Sequence, residues 1–269
     1  MFSGKENPRT TMKPIACIVL PTYNEAENLK ILLPRIFEQQ TRISSHDLHV
    51  LVVDDNSPDG TGQVVEDFRS RFPFLHLIRG EKSGLGAAYK RGIGHAMTLL
   101  SPEVVLGMDA DLQHDPVLLP EMIGAINDGS TLVIGSRYVH GAQVLNFSRW
   151  RVFLSHTGNF LVRWAGGLKI QDCTSGYRAI QSDLLLTCDL EHLSTRGYSF
   201  LSAFLCQLVW NGARVLEIPI TFGVRNQGQS KLSLRDQAEF LGRVARIFLS
   251  RQRNRGVLAN AAMRAGRAK

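Results

Sequence analysis

The chain has 269 residues, 44% of them hydrophobic and 20% charged, which fits one large folded domain with or without a helical appendix and excludes an intrinsically disordered chain. The formal net charge is +7, and the excess sits at the C-terminal end: Arg246, Arg251, Arg253, Arg255, Arg264, Arg267 and Lys269 all follow Glu239, the last acidic residue. Cys17, Cys173, Cys188 and Cys206 show no paired spacing, which argues against a disulfide framework or a zinc site and for buried thiols in a reducing compartment.

Residues 1–13 are polar and lack the apolar run of a secretory signal, so they read as a disordered N-terminus of a cytoplasmic protein. Short Val/Ile/Leu runs predict strands at Ile15–Leu20, His49–Val53, Leu75–Ile78, Val104–Met108 and Thr131–Ile134. Between them, helical patterns cover Ala26–Gln39, Thr61–Arg71, Leu85–Leu100 and Pro116–Asn127. That alternation predicts an α/β fold with a mostly parallel central sheet flanked by helices. The second half predicts a helix over Arg149–Gly166, a turn into a strand over Cys173–Ile180, a buried helix over Ser199–Trp210 and a strand over Arg214–Phe222. The run Phe200–Trp210 is too short to span a bilayer. An amphipathic helix is expected over 233–249, with Leu234, Ala238, Leu241, Ala245 and Phe248 as its apolar stripe. Residues 250–269 read as a flexible basic tail, and 14–232 as the catalytic domain.

In such sheets ligands bind beyond the carboxyl ends of the strands, and the chemistry-bearing residues fall there. Asp109-Ala-Asp111-Leu-Gln113 follows the fourth strand. In extended backbone, alternate side chains share a face, so these three oxygens could converge on one hard divalent cation, Mg²⁺ or Mn²⁺. Pro21-Thr-Tyr23-Asn-Glu25 follows the first strand and could border a base, or be a turn with an acidic helix start. After the second strand comes Asp54-Asp55-Asn-Ser-Pro-Asp59-Gly60-Thr61. One of its adjacent aspartates must face away from any ligand, Asp59-Gly60 is ordinary turn chemistry, and Thr61 is a candidate helix cap. Ser83-Gly-Leu-Gly86 opens a helix but lacks the third glycine of a phosphate loop. Arg137, the helix neighbours Arg151 and Ser155, and the loop cations Arg225 and Lys231 could bind phosphate groups. Any one of these cations taken singly reads better as a solvated surface charge. His114 reads as a solvent-exposed loop residue or as a neighbour of the metal ligands.

Taken together, Pro-Thr-Tyr-Asn-Glu, Val-Asp-Asp-Asn-Ser-Pro-Asp-Gly-Thr, Gly-Leu-Gly, Asp-Ala-Asp-Leu-Gln-His, Gly-Ser-Arg-Tyr, Thr-Ser-Gly-Tyr-Arg and Arg-x5-Lys occur in the order seen in polyprenyl-phosphate (dolichyl-phosphate) mannose synthases. The sequence resembles these inverting family 2 glycosyltransferases, which have a GT-A fold, over about residues 14 to 249. The resemblance implies transfer of mannose from GDP-mannose to a polyprenyl monophosphate. It assigns Pro21, Tyr23, Glu25, Val53 and Asp55 to the guanosine, and Asp109, Asp111 and Gln113 to the metal, with Ala110 among the donor contacts. Arg137, Arg225 and Lys231 would meet donor or acceptor phosphates, and Arg151 and Ser155 the acceptor phosphate. Asp111, Arg137 and Arg151 are the expected catalytic residues. Many relatives carry Phe-Gln-x-Glu where this chain has Phe200-Leu201-Ser202-Ala203, so polar groups under the acceptor site are missing.

A polyprenyl phosphate has a second pKa near ~6 and arrives largely dianionic, so no protein base is required. Such an enzyme is expected at the cytoplasmic face of a membrane, held by its basic amphipathic C-terminus or by a membrane-anchoring protein. The rival donor is UDP-glucose, and a non-catalytic nucleotide-sugar-binding subunit is the reading from another class. Nucleic-acid binding is disfavoured, because the basic excess lies in one tail without interleaved aromatics.

Overall fold

The computed structural model describes residues 13–145, 149–193, 199–223 and 240–253. The first half alternates as expected: β1 (Ile15–Thr22), α1 (Ala26–Glu38), β2 (Asp47–Asp54), α2 (Thr61–Arg69), β3 (Leu75–Arg79), α3 (Leu85–Leu99), β4 (Val104–Gly107), α4 (Leu119–Asn127) and β5 (Leu132–Ser136). Asp115 accepts a hydrogen bond from Val117 N and starts a 3-10 turn over Pro116–Leu118, so α4 opens later than the expected Pro116. The second half holds β6 (Gln143–Val144), α5 (Arg149–Gly166), β7 (Arg178–Gln181), α6 (Ser182–Leu186), α7 (Ser199–Trp210), β8 (Val215–Pro219) and β9 (Thr221–Phe222). A last helix, α8, covers 240–253.

Seven strands form one sheet in the order β3-β2-β1-β4-β7-β5-β8, and β6 pairs with β9 in a small second sheet. The pairing is parallel except around β7, which runs antiparallel to both β4 and β5. The segment expected as one strand over Arg214–Phe222 splits, because β8 pairs with β5 while β9 leaves for β6. Alternation along β1 divides the core: Ala16, Ile18 and Leu20 pack with α1 and α4, and Cys17 and Val19 with α3 and the helices of the second half. Cys17, Cys173 and Cys206 are buried free thiols, and burial pushes Cys17 up to about 12.

α8 departs from expectation in its face. Val244 and Ile247 are buried, whereas the expected stripe residues Leu241 and Ala245 are exposed. Residues 233–239 of the expected helix lie outside the described residues, and helix continues past Leu249 to 253.

The β2–β3 edge carries an acid-sensitive pair. His49 Nδ1 lies 3.0 Å from His76 Nε2, an arrangement in which one ring donates and the other accepts. Burial, then the charge of the other ring, lowers His49; burial, then Arg69 and His95, lowers His76. Burial also lowers His46, against the opposing pull of Glu103 and Asp47. All three fall below the ordinary 6.5, so in acid the unfolded chain binds more protons. Stability is therefore full above about pH 6.5 and is lost as the pH falls below it. Urea midpoints should drop between about pH 7.5 and about pH 5.5, and His49→Phe should shrink that drop. An equal drop in the variant would clear the pair of the effect.

Candidate active site

The loops after β1, β2, β4 and β5 meet at the carboxyl end of the sheet. After β2, Asp54 is buried and accepts from Ser57 Oγ at 2.5 Å, which holds the turn. Asp55 is buried too, and its carboxylate is paired with Arg91 from α3. Asp59 ties two helices: one oxygen accepts from Thr61 N at 3.0 Å, the other from Ala26 N at 3.0 Å. Partial burial would raise its pKa, but the bonds from Thr61 and Ala26 hold it below the usual carboxylate range. Thr61 is thus the first residue of α2 rather than its cap; that position is Gly60, at φ 87°. L side chains rarely adopt that φ, which accounts for the glycine.

The residues expected around a base are placed unevenly. Tyr23 is exposed, with Lys82 Nζ 3.3 Å from its ring centroid. Glu25 accepts from Asn28 Nδ2 at 2.5 Å, and Pro21 is half-buried. The Val53 side chain is fully buried, and a Cβ on Gly92 would lie 2.7 Å from it. The Val53 carbonyl accepts from Thr22 Oγ1 at 3.3 Å, so only its backbone borders the loops.

The acidic motif is not the straight strand end that alternation predicted. β4 stops at Gly107, and Leu112 adopts φ 65°. That left-handed residue kinks the chain between Asp111 and Gln113, which voids the face-sharing argument for Gln113. Asp111 and Ala110 are buried, and Asp111 Oδ1 accepts from Gln113 N at 3.2 Å. Gln113 Nε2 donates to Gly223 O at 2.5 Å, which fixes the plane of the amide and with it the direction of Oε1. Two carboxylates and one amide oxygen form an all-oxygen set of the kind hard divalent cations take. Among the described residues no group of three His, Cys, Asp or Glu side chains is gathered for a metal. With only three protein oxygens, the set leaves coordination positions for substrate phosphates and waters, as Mg²⁺ sites do.

His114 is 3% exposed, against the expected solvent-exposed loop residue. Its ring stacks on Tyr177 with centroids 4.9 Å apart, and Nδ1 accepts from Asp109 N at 3.0 Å. It thereby holds the backbone of the first carboxylate. Burial raises Tyr177, whose hydroxyl donates to Asp115 O at 2.9 Å.

Arg137 follows β5 and is mostly buried, so it is no solvated surface charge. Asp172 grips it: Nε donates to Oδ2 at 2.7 Å and Nη2 to Oδ1 at 2.8 Å. Burial alone would lower Arg137, but the Asp172 bonds and charge raise it above its usual value. The same partnership outweighs burial in Asp172 and holds its carboxyl below the usual range. Sequence reasoning missed Asp172, although it lies two residues before Thr174, where the Thr-Ser-Gly-Tyr-Arg motif begins. Ser155 Oγ lies 2.5 Å from Tyr138 Oη, which brings α5 beside the Arg137 loop. Arg151 lies on α5, but its side chain, like Arg225 and Lys231 altogether, falls outside the described residues. Beneath the motif, Leu201 Cδ1 would lie 3.5 Å, and Asp109 Oδ1 3.3 Å, from a Cβ on Gly176. The space is not wholly apolar, since the buried Arg178 donates to Leu201 O at 2.8 Å.

Residues 17–187 match the family model described as Glycosyl transferase family 2. The chain belongs to glycosyl transferase family 2. It is 38% identical over 244 residues to the polyprenol monophosphomannose synthase of Mycolicibacterium smegmatis, covering 89% of each chain. It is also 38% identical to the undecaprenyl-phosphate mannosyltransferase of Micrococcus luteus, covering 80% of this chain and 86% of the relative. A mannosyltransferase from Pyrobaculum calidifontis, solved in complex with GDP-Man and Mn2+, aligns with a TM-score of 0.52 at 19% identity, over 95% of this chain and 81% of that one. This family 2 member is thus a glycosyltransferase of the expected GT-A type.

Proposed function

We propose that this glycosyltransferase moves mannose from GDP-mannose to a polyprenyl monophosphate, with inversion and with a divalent metal, at a membrane surface. The observation that carries the reading is how the carboxylates around the cleft are used. Asp54, Asp55, Asp59 and Asp172 are each tied to a named partner, which suits none of them to act as a base. An acceptor that brings its own negative oxygen fits such a site; a sugar hydroxyl, which needs deprotonation, does not. The names of the Mycolicibacterium and Micrococcus relatives support the same acceptor class.

Asp109, Asp111 and Gln113 would hold the metal, which when bound would neutralise charge growing on the departing diphosphate. Tyr23, Glu25, Asp55 and the Val53 backbone border the space for the base. Arg137, with Arg151, Ser155, Arg225 and Lys231, would orient phosphate groups. The α5 face that carries Ser155 and the buried Asn159 packs inward. Its opposite face exposes Trp150, Phe153, Phe160 and Trp164, which supports docking on lipid beside the acceptor site. No helix among the described residues is long and apolar enough to cross a membrane.

The test is label transfer to an organic-phase lipid phosphate from GDP-mannose, UDP-glucose and UDP-GlcNAc, each with and without EDTA. GDP-mannose should be the preferred donor, and EDTA should abolish transfer. Preference for UDP-glucose would overturn the donor, and EDTA-resistant transfer the metal.

A further inference from the structure

We propose that Asp172 is the positioning residue of this transferase: it aims Arg137 at the reacting phosphates. The assignment rests on the reading above of Arg137 as a phosphate contact. Asp172 is fully buried, on the turn that leads to β7. It accepts three bonds from Arg137, through the backbone N at 3.1 Å as well as Nε and Nη2. It also accepts from Thr174 N at 3.2 Å, Thr174 Oγ1 at 3.2 Å and Ser175 N at 3.1 Å. Its own backbone N donates to Glu217 Oε1 of β8 at 2.9 Å. A carboxylate with that many donors has one orientation, and the guanidinium bound to it inherits that orientation.

The count of Arg137 donors gives the consequence. Nε and Nη2 are directed at Asp172, and Nη2 also donates to Thr174 Oγ1 at 2.7 Å. Among the described residues Nη1 makes no hydrogen bond. The ring of Tyr138 lies 5.3 Å from Cζ and that of Phe222 5.1 Å, which restricts the remaining swing of the plane. Asp172 thus leaves one fixed amino group for a ligand oxygen. It also cancels most of the arginine's charge, so Arg137 acts on phosphate as a directed donor more than as a cation.

The same turn anchors the acceptor side. Asn159 of α5 is buried, and its Oδ1 accepts from Cys173 N at 2.7 Å while Nδ2 donates to Ser155 O at 2.9 Å. Arg178, also buried, donates to Cys173 O at 3.2 Å and to Leu201 O of α7 at 2.8 Å. The Thr174-to-Arg178 motif therefore has a physical role: it is the rigid seat that fixes Asp172 between the Arg137 loop and the helix bearing Ser155.

A double-mutant cycle on the full chain tests this, read on whichever donor the wild type uses. Asp172→Asn keeps the shape but loses the charged grip on the fork. It should lower kcat by about 100-fold, the effect of misplacing a catalytic contact by roughly an ångström. In an Arg137→Ala background the same change should cost less than about 2-fold, because its target is gone. Thr174→Val, which removes a lesser support, should cost less than Asp172→Asn and also fall silent in the Arg137→Ala background. It carries the test if Asp172→Asn does not fold. Losses that multiply with Arg137→Ala, or near-wild-type kcat in a folded Asp172→Asn, would overturn the assignment. A wild type that prefers another donor would sink the GDP-mannose reading and leave the cycle readable.

Discussion

Asp111→Ala is expected to cut transfer by about 10³-fold, roughly 4 kcal/mol of transition-state stabilisation, at saturating donor and Mn²⁺. Asp111 is buried where the chain turns out of β4, and the left-handed Leu112 sends the next residues away from the strand line. Its carboxylate is the deeper of the two that would face the cation. Removing it also removes the bond from Gln113 N, worth about 1 kcal/mol. Asp111→Asn separates the two effects, since the amide oxygen can still accept from Gln113 N while the charge is gone. Both variants should lose turnover alike, and Asp111→Asn should unfold near the wild-type midpoint. Label transfer and urea unfolding on the same preparations check this. Wild-type turnover in Asp111→Ala would remove the metal from Asp111.

What the sequence disclosed and what it withheld separate along physical lines. Strands such as β1 and β2 are buried on both faces, so their apolar runs are continuous and easily read. The strand-end positions of the motifs followed from that alone. The antiparallel β7 was not legible, because the direction of a strand is set by its connections and not by its side chains. Alternation failed after Asp111 because a single left-handed residue, Leu112, breaks the period, and nothing in a leucine announces that φ. His114 was misjudged for a different reason. Its burial depends on Tyr177, a partner far along the chain, and periodicity is blind to such pairs. Asp172 meets Arg137 across 35 residues of sequence and was missed in the same way. Periodicity also misassigned α8, where Leu241 and Ala245 face outward and Val244 and Ile247 pack inward. An apolar stripe shows that one face differs; only the neighbouring elements decide which face is covered.

That distinction bears most on how the enzyme meets a lipid. α5 exposes Trp150, Phe153, Phe160 and Trp164 at 66%, 58%, 57% and 60%, spaced along one side of an 18-residue helix. Large aromatics on one face, with basic residues and no acid anywhere between Asp128 and Asp172, are what an anionic leaflet attracts. α8 crosses nearby, stacking Phe248 on Trp164 with centroids 5.3 Å apart, and exposes Leu241 and Leu249. The docking face proposed here is thus α5 with α8 beside it, rather than the C-terminal segment alone. Phe153→Ser combined with Phe160→Ser removes aromatic area worth about 2 kcal/mol of interfacial transfer, so partition onto phosphatidylglycerol vesicles should fall about 30-fold. Transfer to a water-soluble short-chain acceptor phosphate should change little, since neither ring belongs to the phosphate site. High salt should weaken the binding of wild type and variant alike, because it screens the arginines and leaves the aromatic contribution in place. Truncation after Leu249 provides the contrast: if it abolishes vesicle sedimentation while the double aromatic variant binds as wild type, the tail docks the protein and α5 does not.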